Sequence, residues 1–323
     1  MRDAFGRVID YMRVSITDRC NLRCKYCMPE DLPFIHHDDI LRYEEILRVC
    51  AAAARLGIKT IRVTGGEPLT RKGCVDFIRA LKAQPGIENV TLTTNGVLLE
   101  PYLDELAGLK LDGLNISLDS LNQDTYLRIT GQDGFKKVWR SLNRAIEVGF
   151  RVKINCVLVK GVNETEILPF ARLAEELPVD VRFIELMPTG EDAGLEGVST
   201  EEVMGVLADK YPDLSPDASK HGFGPARYYT CGLFKGGLGL IDAISSHFCS
   251  ECNRLRLTSE GFLKLCLYHN DGLDLRPMLR GGAGDGEIGA AIENAVLRKP
   301  EHHSFRDGSG IDGGINKMSR IGG

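Results

Sequence analysis

Between Tyr11 and Met187 the chain alternates short β-like runs with longer segments whose apolar residues recur at helical spacing. The pattern predicts strands at Tyr11–Thr17, Thr60–Thr64, Asn89–Thr94, Gly113–Leu118, Arg151–Val159 and Asp180–Met187. Helices are predicted at Arg42–Leu56, Val75–Ala83, Phe135–Val148 and Thr165–Leu177. Repeated β/α alternation implies an α/β fold, a parallel sheet with helices outside. Six units suggest an incomplete (β/α)6 barrel of the TIM type, since eight close one. A doubly wound open sheet is the alternative. In either case ligands sit at the C-terminal ends of the strands, where Asp18–Cys27, Gly65–Pro68, Asn95–Gly96 and Asp119–Ser120 gather.

After Met187 the pattern breaks into a Gly/Pro/Asp-rich stretch with a helix predicted at Thr200–Tyr211 and short strands at Arg254–Thr258 and Phe262–Leu267. This divides the chain into a barrel unit, residues 1–220, and a smaller C-terminal α+β unit, residues 221–323. From Asp307 the composition is that of a mobile tail.

The chain has 323 residues, 43% hydrophobic and 26% charged, enough to bury a substantial core, and its net charge of −5 argues against a generally nucleic-acid-binding surface. No apolar run reaches the roughly 18 residues of a membrane span, and Met1–Asp10 carries Arg2, Asp3, Arg7 and Asp10 where a signal peptide would be apolar. A cytoplasmic protein is expected. Its ten cysteines then read as metal or redox chemistry and not as disulfides.

Cys20, Cys24 and Cys27 form C-x3-C-x2-C directly after the first strand. Three thiolates on one loop suit three irons of a four-iron cube and leave the fourth open to a chelating molecule. Structural zinc is the alternative, with His36 or His37 as a further ligand. Cys249, Cys252 and Cys266 form a second trio, C-x2-C-x13-C, compatible with a cube or with zinc completed by His247 or His269. Cys50, Cys74, Cys156 and Cys231 are scattered and read as small buried apolar residues.

The first trio followed by Thr64-Gly65-Gly66-Glu67-Pro68 resembles the radical S-adenosylmethionine superfamily, in which the open iron chelates the methionyl group and the Gly-Gly-Glu-Pro segment contacts its amino group. Glycines at this point would let backbone approach the ligand. Asp18–Pro29, Thr93–Gly96, Asn115–Asp119, the second trio with Arg254-Leu255-Arg256, and the ending Met318–Gly323 further resemble the GTP 3′,8-cyclase family, which opens molybdenum cofactor biosynthesis. Glu191–Gly224 matches no motif of that family.

The resemblance implies two [4Fe-4S] clusters, S-adenosylmethionine as cofactor and GTP as substrate, with the second cluster facing the guanine. It implies S-adenosylmethionine contacts at Tyr26, Gly66, Ser117 and Met187. It implies GTP contacts at Arg13, Arg62, Thr93, Lys153, Arg254, Leu255 and Arg256, with Arg182 a further candidate. A Gly-Gly pair reaching the active site corresponds to Gly322 and Gly323. Reductive cleavage would yield a 5′-deoxyadenosyl radical that takes hydrogen from C3′ of GTP, and closure onto C8 would give 3′,8-cyclo-7,8-dihydro-GTP. A flavodoxin or ferredoxin as reductant, a cyclic pyranopterin monophosphate synthase as recipient of the product, and a homodimer are further expectations.

Independently of any family, Arg13, Arg62, Lys153 and Arg182 lie on predicted barrel strands, where a buried cation needs an anion. Either they pair with Glu67, Asp119 or Glu185, or they converge on a polyanionic ligand. Rival readings are a peptide-modifying enzyme of the same superfamily and a zinc-binding interaction module.

Overall fold

The computed structural model describes residues 1–28, 34–187, 194–219, 221–242, 244–245, 248–303 and 321. Six strands appear where the hydrophobic pattern places them: β1 (Tyr11–Ser15), β2 (Thr60–Thr64), β3 (Asn89–Thr94), β4 (Gly113–Ser117), β5 (Val152–Leu158) and β6 (Asp180–Glu185). Each pairs in parallel with the next in sequence. Strand order therefore never reverses, which removes the switch point that a doubly wound sheet requires.

The helices α1 (Tyr43–Arg55), α2 (Cys74–Lys82), α3 (Leu103–Gly108), α4 (Gln123–Thr130), α5 (Phe135–Glu147), α6 (Ile167–Glu176) and α7 (Thr200–Lys210) follow these strands. Strand β5 shows how the chain sorts its two faces. Val152, Ile154, Cys156 and Leu158 are buried, whereas Lys153, Asn155 and Val157 alternate with them on the other face. The apolar face packs in the core with residues of the helices, such as Ala145 and Phe170, and the polar face turns inward to the lumen.

The chain after Met187 extends the same sheet at both edges. Strands β7 (Ser215–Pro216), β8 (Arg227–Thr230) and β9 (Gly237–Ile241) lie beyond β6, with β9 parallel to it. Strands β10 (Arg254–Leu257), β11 (Phe262–Lys264) and β12 (Gly272–Asp274) lie beyond β1, with β10 parallel to it. The result is a twelve-stranded sheet.

Two C-terminal helices complete the described structure, α8 (Arg276–Arg280) and α9 (Asp285–Val296), and α9 packs on α1. Strand β9 and helix α9 are absent from the sequence expectation. Gly237 and Gly239 lower the strand signal, and Gly286 and Gly289 weaken the helical one. Helix α9 nevertheless buries Ile288, Ile292, Ala295 and Val296 along one stripe. No described helix is long and apolar enough to cross a membrane.

Candidate active site

Three arginines stand side by side across the sheet. Arg13 of β1 is in register with Arg256 of β10 on one side and with Arg62 of β2 on the other. Like charges directly opposite on neighbouring strands repel. Arg62 is 7% exposed and Arg256 9%, so water does little to relieve them.

Burial, followed by the charges of Arg256 and Arg62, holds the Arg13 guanidinium well below its usual range. Burial and then Arg254 lower Arg256 to about 10. Arg182, on β6 across the lumen, is lowered chiefly by burial. Its Nη2 donates to Asn115 Oδ1 at 2.5 Å, and Asn115 Nδ2 donates to Thr93 Oγ1 at 3.2 Å.

The acids that might have neutralised these cations are engaged elsewhere. Glu67 accepts from Thr94 Oγ1 and from the backbone N–H groups of Leu69 and Asn95. Asp119 accepts from Tyr26 Oη and from the Val157 N–H. Glu185 accepts from Thr200 and from the N–H groups of Ile244 and Ser245. Five arginines and Asp119, itself bonded to Tyr26 and Val157, line the lumen, and this excess of cations suits an anion.

The cysteine trios meet this lumen at two places. A cavity of about 220 Å³ is lined by Cys20, Cys24, Cys27, Tyr26, Gly66, Thr93, Ser117 and Met187 together with Arg13, Arg62, Arg182, Arg254 and Arg256. A smaller one of about 70 Å³ is lined by Cys249, Cys252 and Cys266, and it shares Arg254 and Arg256 with the first. Three buried polar atoms lining the larger cavity, Thr64 Oγ1, Asn155 Oδ1 and Arg182 Nε, have no hydrogen-bond partner among the described residues. Buried polar groups rarely stay unsatisfied, so this lining fits a polar ligand as well as an anion.

Both trios also have the donor chemistry of iron–sulfur ligation. Burial, then the Asp119 charge, pushes the Cys24 thiol well above its usual value. Burial acts the same way on Cys20, raised to about 11. Thiolates there need a cationic centre beside them. At Cys252 burial also opposes ionisation, but Lys299 and Arg254 outweigh it and bring the thiol down to about 7. His36 and His37 are exposed and absent from the cavity lining of the first trio. The zinc alternative is thus left without those ligands. His247 lies outside the described residues, and half-buried His269 lies 3.1 Å from the His302 carbonyl. The other four cysteines are buried as expected.

Two expectations change in their physical reason. Gly65 and Gly66 serve chain packing. A Cβ on Gly66 would stand 2.5 Å from the Arg19 carbonyl oxygen, and one on Gly65 2.7 Å from that of Thr17. The glycines let the loop after β2 lie on the cysteine loop, where Gly66 N–H donates to Thr17 O at 2.7 Å and Glu67 N–H to Arg19 O at 2.8 Å. Gly66 alone of the Gly66-Glu67-Pro68 segment lines the cavity; Glu67 is fully buried as an anchor, and burial raises its carboxyl to about 7. Leu255 is also fully buried, in the apolar core, with Arg254 and Arg256 on the opposite face of β10.

Lys153 lines a separate cavity of about 800 Å³, which shares Arg62 and Arg182 with the cysteine-lined one. Gly322 and Gly323 lie outside the described residues. Ile321 immediately before them is fully buried, and its carbonyl accepts from Arg256 Nη1 at 3.5 Å. Sequence reasoning overlooks Lys299, 2% exposed, whose Nζ donates to the Arg254 carbonyl at 3.0 Å behind the second trio. A lone lysine after a helix has no pattern to reveal it. Sequence reasoning places Asn95 at the strand-end rim but gives it no role; its amide donates to Asn21 Oδ1 at 2.8 Å and approaches Cys20 Sγ at 3.7 Å.

Two effects on binding follow from this lining. Arg256→Ala should weaken the anion, GTP as the resemblance implies, by about 1.5–3 kcal/mol, the range for a hydrogen bond to a charged group. Titration calorimetry with S-adenosylmethionine as control checks it, and equal loss for both ligands would indicate a folding defect. Burial lowers Lys153 to about 8, with Asp180 opposing the shift and Arg182 and Arg151 reinforcing it. A bound phosphate would raise that value, so above pH 8 binding must take up the proton that the free amine has lost. GTP affinity should therefore fall as pH rises through 8, by up to about tenfold per unit, while phosphate ionisation near 6 stays below the window. Lys153→Arg should flatten that slope in the same titration.

Residues 14–174 match the radical SAM superfamily, and residues 179–305 match the Molybdenum Cofactor Synthesis C family. The chain is 44% identical over 307 residues to a GTP 3′,8-cyclase of Clostridium perfringens (strain 13 / Type A), covering 95% of each chain. It is 46% identical over 329 residues to a GTP 3′,8-cyclase of Heliobacterium modesticaldum, covering 100% of each. Among solved structures, Streptococcus suis SuiB bound to S-adenosylmethionine superposes with a TM-score of 0.65 at 14% identity, over 91% of this chain and 72% of that one. The last of these is a likeness of fold alone. With relatives this similar over their full length, the chain belongs to the GTP 3′,8-cyclase family of the radical SAM superfamily.

Proposed function

We propose that this protein is a GTP 3′,8-cyclase, a radical S-adenosylmethionine enzyme that converts GTP to 3′,8-cyclo-7,8-dihydro-GTP at the first step of molybdenum cofactor biosynthesis. The observation that carries the reading is the placement of Arg13, Arg62 and Arg256 between two cysteine trios whose cavities join at Arg254 and Arg256. When bound, two [4Fe-4S] clusters and S-adenosylmethionine supply a one-electron cleavage and a primary alkyl radical able to take the C3′ hydrogen. Cys20, Cys24 and Cys27 would hold the first cluster, and Cys249, Cys252 and Cys266 the second.

The protein's own part is placement and exclusion of water. Tyr26, Gly66, Ser117 and Met187 would bound the cofactor. The Tyr26 hydroxyl is fixed by its 2.5 Å hydrogen bond to Asp119. Arg13, Arg62, Lys153, Arg182, Arg254 and Arg256 would grip the triphosphate, which guanidinium groups can engage bidentately. Thr93, oriented by Asn115, would position the ribose or a phosphate. Holding C3′ in one place is how such a site would select one C–H bond among many.

The remaining assignments extend this reading. Residues 1–220 would be the radical SAM partial barrel and 221–323 the unit carrying the second cluster, with GTP held by residues of both. Gly322 and Gly323, which follow Ile321 in sequence, would take the active-site role that the resemblance implies for them. A flavodoxin or ferredoxin supplies electrons, a cyclic pyranopterin monophosphate synthase takes the product, and the enzyme works in the cytoplasm as a homodimer. The test is anaerobic incubation of reconstituted protein with S-adenosylmethionine, dithionite and each nucleoside triphosphate, followed by product mass analysis. GTP-dependent 5′-deoxyadenosine and a cyclised nucleotide are expected. Equal 5′-deoxyadenosine with every nucleotide and no cyclised product would reject the reading, and zinc without iron would favour a binding module.

A further inference from the structure

Residues 215–219 and 221–229 belong to an arm of short strands and turns, part of it in the Glu191–Gly224 stretch that matches no motif. It passes across the 800 Å³ cavity, whose barrel wall carries Arg62, Lys153 and Arg182. The arm lies directly on the lysine: a Cβ on Gly222 would stand 3.3 Å from Lys153 Cε and 3.5 Å from Nζ, and the φ of this glycine is +152°.

One side chain of the arm is locked into the barrel. His221 has a side chain only 3% exposed, with Nδ1 3.1 Å from Asp180 Oδ1 and Nε2 2.7 Å from Asp217 Oδ2. Ser219 Oγ lies 3.1 Å from the same Nε2, and the ring stacks on Tyr228 at 3.9 Å. Asp180 is fully buried, and Arg151 Nη2 donates to it at 3.2 Å. Its other oxygen, Oδ2, lies 3.5 Å from Lys153 Nζ. Lys153 thus faces one oxygen of a buried carboxylate whose other oxygen is shared by Arg151 and His221.

We propose that His221 is a positioning residue for GTP: clamped between Asp217 and Asp180, it fixes the Asp180 carboxylate and so aims the Lys153 ammonium at the triphosphate. The arm then serves as the floor of the phosphate end of the site. Arg151 Nη2 lies 2.9 Å from His221 Nδ1 as well as 3.2 Å from Asp180 Oδ1, so without the ring both the guanidinium and the carboxylate lose a neighbour that sets their place beside Lys153. The proposal rests on Lys153 contacting GTP, and the test keeps the two claims apart.

GTP dissociation constants would be measured by calorimetry on anaerobically reconstituted wild type, Lys153→Ala, His221→Ala and the double variant, with S-adenosylmethionine binding as control. His221→Ala should weaken GTP roughly tenfold, as for loss of one charged hydrogen bond, and leave S-adenosylmethionine unchanged. In the Lys153→Ala background the same substitution should add less than about twofold, because coupled residues are not additive. At saturating GTP, kcat should be retained while KM rises. Full additivity would overturn the positioning role, since a merely structural histidine costs the same in both backgrounds. An unchanged affinity in Lys153→Ala alone would instead remove the lysine from the site. Asp217→Asn, which loosens the clamp from its outer side, is the second variant should His221→Ala fold poorly; it should show the same non-additive pattern, and additivity there overturns the proposal equally.

Discussion

Cys24→Ala should abolish S-adenosylmethionine cleavage and lower the iron content of reconstituted protein from about eight to about four, while the fold persists. The loop that carries Cys24 is held by its backbone. Cys27 and Met28 N–H groups donate to the Cys24 carbonyl at 2.9 Å, Arg23 N–H to Thr130 O at 2.8 Å and Lys25 N–H to Ile129 O at 3.1 Å. None of these bonds involves the thiol, so removing it leaves the loop attached to the end of α4. What would be lost is one of the three ligands proposed for a cube, which two thiolates should not retain. Iron analysis, 5′-deoxyadenosine formation without GTP and a thermal unfolding curve together check the outcome. Full cleavage with full iron would show that the first trio is not the cofactor site.

The legibility of this chain differs sharply between its two halves. The six barrel strands, the six cysteines and the candidate cations stand out from period and spacing, because each is a local pattern. What the sequence does not reveal is adjacency. Arg13, Arg62 and Arg256 become one charged row only when β10 is known to pair in parallel with β1, a contact spanning more than two hundred residues. Gly65 and Gly66 are visible as a motif, but their reason, contact with the Thr17 and Arg19 carbonyls, belongs to the packing of two loops. His221 is isolated in a stretch without periodicity, and its partner Asp180 reads as the polar start of an apolar strand. Strand β9 escapes because the glycines that weaken its signal are those that make room. A Cβ on Gly237 would stand 2.8 Å from the His221 ring and one on Gly239 2.8 Å from Arg182 Cγ. The residues hardest to read are therefore the ones that shape the cavity around Lys153 and Arg182.

Cys252→Ser should stop cyclisation of GTP while slow, substrate-independent 5′-deoxyadenosine formation continues. Lys299 and Arg254 oppose the effect of burial and bring the Cys252 thiol to about 7, so near neutral pH a large share is thiolate, the form that binds metal. A serine hydroxyl has nearly the same size but stays neutral, and it leaves the 2%-exposed Lys299 without that negative neighbour. The second centre should then be lost, with iron again falling from about eight to about four. Arg254 and Arg256 border both cavities, so the damage should reach GTP binding. The first trio, on the loop after β1, keeps all its backbone anchors and should keep its chemistry. Product analysis with and without GTP, alongside spectroscopy of the first centre, separates the two. Complete loss of 5′-deoxyadenosine with the first centre intact would overturn the division of labour, because it would make the second trio necessary for cofactor cleavage itself.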